Sequence, residues 1–159
     1  MKAVIFYTST HHGNTEKVAK VIGDELKAEM HNLEKEDVSG LDISKFDLIG
    51  LGSGIYRFTF SPKLFELVNR FDLKNRKVFL FSTGASGKLV FHRKLTEALA
   101  LKQAHNVGEF TCPGFIDWAF FRWFGGGLRQ GHPDAEDLES ARKFAESLKN
   151  KQTKAQGES

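Results

Sequence analysis

The sequence predicts an α/β domain built on a parallel sheet with helices on both faces, and three observations point there. Short apolar runs alternate with stretches whose apolar residues recur every three or four positions. The strand-like runs are nearly continuous rather than alternating, as strands covered on both faces are. The connections are short, so strand, turn and helix follow one another as in successive βαβ units.

Taken in order, Lys2 to Tyr7 (KAVIFY) is the first strand, ended by Thr8-Ser9-Thr10. Val18, Val21, Ile22 and Leu26 then give one apolar face to a helix from Asn14 to Ala28. Met30 to Leu33 is a short strand and Phe46 to Gly52 (FDLIGLG) a longer one. The next helix begins at Ser61-Pro62, where Ser61 can cap and Pro62 suits a first turn that needs no N–H. Lys77 to Ser82 (KVFLFS) is another buried strand, and a glycine-bracketed loop leads to a helix from Lys88 to Leu101. Val107 to Cys112 is the last strand. Asp134 opens a final helix on which Leu138, Ala141, Ala145 and Leu148 share a face, with an acidic first turn and a basic end that complement the helix dipole. Residues 1–150 read as a single domain, and 151–159 as a frayed tail because Gln152 to Ser159 has no apolar face.

The bulk properties agree. A chain of 159 residues with 40% hydrophobic content can bury a core without staples, and its one cysteine excludes a disulfide-rich module. No apolar run approaches the roughly 18 residues of a spanning helix. The start MKAVIFYTST lacks the marks of a signal peptide, so a cytoplasmic protein is expected. The net charge of +3 is unevenly spread: residues 55–130 carry 12 Lys/Arg against 5 Asp/Glu, or +7, while 1–54 sum to −3 and 131–159 to −1. A solvated surface and an anion-binding face are both open readings of that basic middle.

In a sheet of this kind, ligands bind outside the carboxyl ends of the strands. The first such loop is Thr8-Ser9-Thr10-His11-His12-Gly13-Asn14-Thr15. Its hydroxyls, its glycine and the helix N-terminus behind it could cradle a phosphate; the same residues could simply cap the helix and close a turn. It holds neither the Lys of a P-loop nor the glycine spacing of a dinucleotide site. His11 and His12, adjacent and without other ligands at suitable spacing, assign no metal.

Ile5 to Lys17 (IFYTSTHHGNTEK) resembles the phosphate-binding loop of the flavodoxin family, Ser/Thr-x-Thr-Gly-x-Thr after the first strand, through Ser9, Gly13, Asn14 and Thr15. His11-His12 makes this loop one residue longer than the family's. The resemblance extends through the order of elements to about residue 150. It implies a flavodoxin-like three-layer sandwich, a five-stranded parallel sheet in the order 2-1-3-4-5, and FMN as cofactor. Thr8 to Thr15, His11 and His12 included, would then hold the phosphate. The loops Ser53-Gly54-Ile55-Tyr56-Arg57 and Thr83-Gly84-Ala85-Ser86 would hold the ring, their glycines allowing close approach and Tyr56 stacking on it. The second loop lacks an aromatic for the other ring face unless Phe91 or a later residue moves in.

Flavodoxins are typically acidic, whereas Arg57 and Lys88 stand in these loops. Cations near the ring favour its anionic reduced form, so a less negative potential for the last reduction step is expected, together with redox partners that are acidic at the docking face. Nucleic acid is not an expected partner. Between Phe115 and Phe124 six of ten residues are aromatic. A plug over the sheet edge, a homodimer or partner surface, and membrane-surface contact are the three roles open to that segment.

The function expected is electron transfer between redox partners through the bound flavin. The alternative is a flavin-dependent oxidoreductase acting on a quinone or a protoporphyrinogen-like substrate, since Ser53 to Phe58 also resembles the corresponding loop of menaquinone-dependent protoporphyrinogen oxidases. A third option is a binding module that keeps the fold without cofactor. No grouping of nucleophile, base and orienting residue is evident along the chain, so no catalytic residue is assigned, and Cys112 reads as a packed strand residue.

Overall fold

The computed structural model describes residues 1–10, 13–114 and 131–157, with side chains to residue 151. Five parallel strands stand in the order β2-β1-β3-β4-β5: β1 (Ala3–Thr8), β2 (Glu29–Asn32), β3 (Leu48–Gly54), β4 (Lys77–Gly84) and β5 (His105–Pro113). Helix α1 (Asn14–Leu26) follows β1, α2 (Pro62–Arg70) follows β3, α3 (Arg93–Leu101) follows β4, and α4 (Ala135–Gly157) is the last element. The expected doubly wound sheet is therefore present.

The near-continuous apolar runs are explained by two cores. Every residue of β1 is buried. Val4, Phe6, Ile49, Leu51, Val78 and Leu80 face α2 and α3 with Leu64, Val68, Leu95 and Leu99. Ile5, Leu48, Phe79 and Phe81 face α1 and α4 with Val18, Ile22, Ala141, Ala145 and Leu148. Fully burying each such side chain contributes about 1.5–3 kcal/mol, so both faces are needed to hold the sheet. The amphipathic face read from α4 is the one that packs, and Lys149 ties this helix to Glu25 of α1.

Several boundaries differ from expectation. Helix α1 stops at Leu26 because Lys27 turns left-handed (φ 51°) and its N–H bonds the carbonyl of Asp24. The predicted Lys88–Leu101 helix begins as a 3-10 turn, Leu89–His92, before α3. Ser61 stands at the cap position of α2 but makes no side-chain cap bond; its own N–H goes to Ser53 Oγ at 3.0 Å. The backbone of α4 stays helical through Gly157, past the point where the sequence predicts a frayed tail. The Phe115–Phe124 segment, with its three open roles, lies outside the described residues, and so do His11 and His12. Among the described residues no helix is long and apolar enough to cross a membrane.

A mouth at the carboxyl ends of the strands

Strand order reverses at β1, whose neighbours are β2 on one side and β3 on the other. Crossovers leave in opposite directions there, and in sheets of this kind ligands bind at such a point, outside the carboxyl ends of the strands. Thr8 to Thr10, Gly13 to Thr15 and Ser53 to Arg57 stand at that point, and Thr83 to Ser86 follow on the adjacent strand.

The sheet ends in a row of hydroxyls. Thr8 lies opposite Ser53, Ser53 opposite Ser82, and Ser82 opposite Thr111, so one register level crosses four strands. Side chains alternate faces along a strand, which puts this row on the α2/α3 side directly above Phe6, Leu51 and Leu80. Apolar packing stops and polar chemistry begins within one residue of each strand. Ser53 Oγ donates to the Gly54 carbonyl at 2.6 Å and accepts from Ser61 N–H. Thr8 Oγ1 is buried and has no hydrogen-bond partner among the described residues. A buried unpaired hydroxyl costs about 1–3 kcal/mol, and this one stands at the start of the candidate phosphate loop.

Gly13 stands at the cap position of α1 in the left-handed region (φ 64°) and has no side chain with which to cap the helix. Ser9 Oγ accepts the N–H of Glu16 at 3.3 Å, while the first-turn residues Asn14 and Thr15 are buried. The loop thus combines hydroxyls with a helix N-terminus, where the helix dipole favours an anion. Thr15 Oγ1 meets Thr83 Oγ1 at 2.9 Å, joining the first loop to the β4 loop. Thr10 Oγ1 meets Tyr56 Oη at 2.8 Å, joining it to the β3 loop. Ile55 N–H donates to the Thr83 carbonyl at 2.9 Å, and Gly114 N–H to the Gly84 carbonyl at 3.1 Å.

The three loops expected at the site are therefore brought together, but two glycines serve them differently from expectation. A Cβ on Gly54 would come within 3.0 Å of the Tyr56 ring, so this glycine makes room for the tyrosine. A Cβ on Gly84 would meet Ile55 at 3.2 Å, so that one lets the loops pack. Tyr56 and Thr59 exchange backbone hydrogen bonds at 2.9 and 3.0 Å, with Arg57 (φ 47°) and Phe58 (φ 65°) left-handed between them, as in a type I′ turn. Thr59 Oγ1 is buried without a partner among the described residues. Arg57, Lys88 and Ser86 are exposed, and Ala85 is half-buried. Charges so exposed are screened over roughly 8 Å at physiological salt, which weakens their expected hold on a ring potential. Phe91 packs against Phe58, ring centroids 5.7 Å apart.

Beneath the β4 loop lies a grouping that the sequence does not reveal. His92 is 1% exposed. Its Nε2 is 2.7 Å from Ser82 Oγ and its Nδ1 3.0 Å from Glu109 Oε2. Glu109 also accepts from Thr96 Oγ1 at 3.2 Å and Asn106 Nδ2 at 2.6 Å; Ser82 is 2.9 Å from Thr111 Oγ1, and Phe60 lies 4.8 Å from the imidazole. Serine, histidine and carboxylate are thus in line, contrary to the expectation that no such grouping exists. Ser82 is fully buried, so its hydroxyl cannot reach a substrate. Burial pushes the His92 pKa down, opposed in part by Glu109. The single Ser82 proton links charge and direction: bare Nε2 accepts it, whereas protonated Nε2 turns it toward Thr111. The signal in the chain was a hydroxyl near the end of four of the strands, since Ser82, His92 and Glu109 are far apart in sequence.

Two other polar clusters have structural explanations. His132, Asp134 and Asp137 hold ligand-type atoms within 4.8 Å of one another. Asp134 Oδ1 accepts from Asp137 N–H at 2.9 Å and Asp137 Oδ2 from Asp134 N–H at 3.0 Å, a reciprocal cap on α4 that His132 joins at 2.6 Å. Cys112 is buried in β5, and burial pushes its thiol up to about 12, leaving no thiolate at neutral pH.

Comparison with known proteins finds relatives of this chain and of its fold. A flavodoxin-domain family model matches residues 4–125. An uncharacterised protein of Methanocaldococcus jannaschii, MJ0298, is 43% identical over 150 residues, covering 93% of this chain and 98% of that protein. The flavodoxin-like domain-containing protein BilS of Clostridioides difficile is 25% identical over 172 residues, covering 93% and 96%. In fold, the oxidised Flavodoxin 2 of Bacillus cereus superposes with a TM-score of 0.68 at 21% identity, covering 95% of this chain and 99% of that one.

Proposed function

The chain belongs to the flavodoxin-domain family, and from that premise we propose that it binds FMN at the carboxyl mouth of its sheet and carries electrons between redox partners. The observation that carries this reading is the meeting, at the end of β1, of a buried hydroxyl, Thr8 Oγ1, that has no hydrogen-bond partner among the described residues, and a following helix N-terminus whose cap position is a left-handed glycine. Both features suit a phosphate monoester held by neutral donors.

In this reading Thr8, Ser9, Thr10 and Thr15 supply hydroxyls, and Gly13, Asn14 and Thr15 supply backbone N–H groups, to the ribityl phosphate. Ser53 to Tyr56 and Thr83 to Ala85 border the ring. Thr15–Thr83 and Thr10–Tyr56 keep the phosphate and ring loops at a set separation. When bound, the flavin supplies the redox chemistry, and no side chain needs to act as acid or base.

The test begins with the purified protein. Flavin absorbance, and FMN rather than FAD released on denaturation, are expected. Apoprotein titrated with FMN and with riboflavin should favour FMN by about a hundredfold or more, because charge-assisted hydrogen bonds contribute about 1.5–3 kcal/mol each. Equal affinity for the two would remove the phosphate-loop assignment. Catalytic turnover of a quinone or protoporphyrinogen would favour the oxidoreductase reading instead.

A further inference from the structure

The two ring loops build an exposed apolar ridge. Phe58 is 77% exposed and Tyr56 50%; across from them Leu89 is 49% and Val90 65% exposed. The Phe58–Phe91 contact joins both sides into one surface. These four make up most of the large exposed apolar residues among the described residues, the others being Met1 and, at the far end of α3, Leu101. Exposed apolar residues scattered singly need no explanation, but a cluster does.

The backbone beneath it is strained. Arg57 and Phe58 are both left-handed without being glycine, a conformation that L side chains rarely adopt. That strain holds a phenylalanine ring out toward water.

The ridge is bordered by cations. Arg57 shares the turn with Phe58, Lys88 precedes Leu89, and Arg93 and Lys94 open α3. No Asp or Glu occurs in residues 48–65 or 73–96. Arg93 is partly offset by Glu97 at 2.9 Å, while Arg57 and Lys88 have no ion-pair partner among the described residues. Aromatic rings and arginine surrounded by charge are the composition of a protein interface centre with its rim. The platform is a four-residue turn and a single 3-10 turn, not the amphipathic helix with which proteins lie on membranes.

We propose that this ridge docks a protein partner presenting an apolar socket rimmed by carboxylates, and that Phe58, Arg57 and Lys88 are its main contacts. The proposal rests on the flavin reading in one respect: docking here brings the partner beside the ring. Charge complementarity would steer encounter, and the ridge would slow dissociation.

The test uses FMN-loaded protein, chemically reduced, mixed without oxygen with oxidised rubredoxin, whose surface is acidic, or with cytochrome c, whose surface is basic. One electron leaves the flavin and converts the acceptor's Fe(III) to Fe(II). The rate to rubredoxin should be high at low salt and fall steeply as salt is added. Arg57→Asp with Lys88→Glu should lower the low-salt rate by about ten- to a hundredfold and flatten the salt dependence. Phe58→Asn, compatible with a left-handed backbone, should weaken the complex about tenfold at high salt. Unchanged far-UV circular dichroism checks folding in each variant.

A low-salt preference for cytochrome c, or no effect of charge reversal, would overturn the proposal. So would binding to phosphatidylglycerol vesicles without any rubredoxin preference. If the protein takes up no flavin, low-salt NMR shifts of Arg57, Phe58 and Val90 on adding rubredoxin still test the surface. Failure of docking and failure of the flavin reading are thereby told apart.

Discussion

Replacing His92 with glutamine probes the buried Ser82–His92–Glu109 chain in both energy and charge. The imidazole is 1% exposed, touches Phe60 and hydrogen-bonds through both nitrogens. Glutamine can keep one of those bonds, leaving Ser82 or Glu109 short of a partner at about 1–3 kcal/mol, and loss of part of the ring's packing adds to this. A total of about 2–4 kcal/mol is expected, a large share of the roughly 5–15 kcal/mol that stabilises a domain. The pH dependence sharpens the test. Burial holds the folded-state pKa of His92 below its ordinary 6.5, so the unfolded chain binds the proton more readily. Stability from this group is therefore present above pH 6.5 and is lost as pH falls toward the folded value, with a slope of at most about 1.4 kcal/mol per pH unit. Urea unfolding of flavin-free wild type and variant, at about pH 5 and about pH 8, should show a smaller acid loss in the variant. An identical acid loss would remove His92 as its source. A larger acid loss in the variant would show that His92 is charged in the native protein, the pull of Glu109 exceeding the cost of burial.

Four further outcomes follow from the same geometry. Thr8→Val removes an unpartnered hydroxyl, so flavin-free protein should become more stable by up to about 1–3 kcal/mol while FMN binding weakens; urea melts and flavin titration read the two effects separately. Gly13→Ala forces a side chain into the left-handed region and should cost about 1–2 kcal/mol in urea melts. Gly52→Ala sets a methyl group against the Phe81 ring and should cost about 1–3 kcal/mol, read as a lower thermal midpoint. Tyr56→Phe keeps the ring over Gly54 but breaks the bond to Thr10; faster flavin release with unchanged stability is expected in stopped-flow displacement.

The class of fold was legible because hydrophobic periodicity is a local signal. Apart from Lys2, Asp47 and Lys77, the residues of KAVIFY, FDLIGLG and KVFLFS are buried, and that pattern survives whichever helices cover them. Boundaries were less legible because competing bonds set them. Ser61 is a good cap by residue type, yet Ser53 Oγ takes its N–H from a strand eight residues away. Gly50 and Gly52 looked like ordinary members of a strong strand, whereas they leave space for Phe79 and Phe81 of the neighbouring strand.

The sequence by itself determined the strand and helix alternation, the loop chemistry at Thr8 to Thr15 and the basic bias of residues 55–130. Each depends on neighbours along the chain. Only the tertiary structure decided that Thr8, Ser53, Ser82 and Thr111 form one row, that His92 reaches Glu109, and that Phe58 and Phe91 join two loops into a ridge. Those contacts depend on strand register, which fixes which residues stand side by side across strands far apart in sequence. The same register turns a diffuse count of positive charges into cations around an apolar surface.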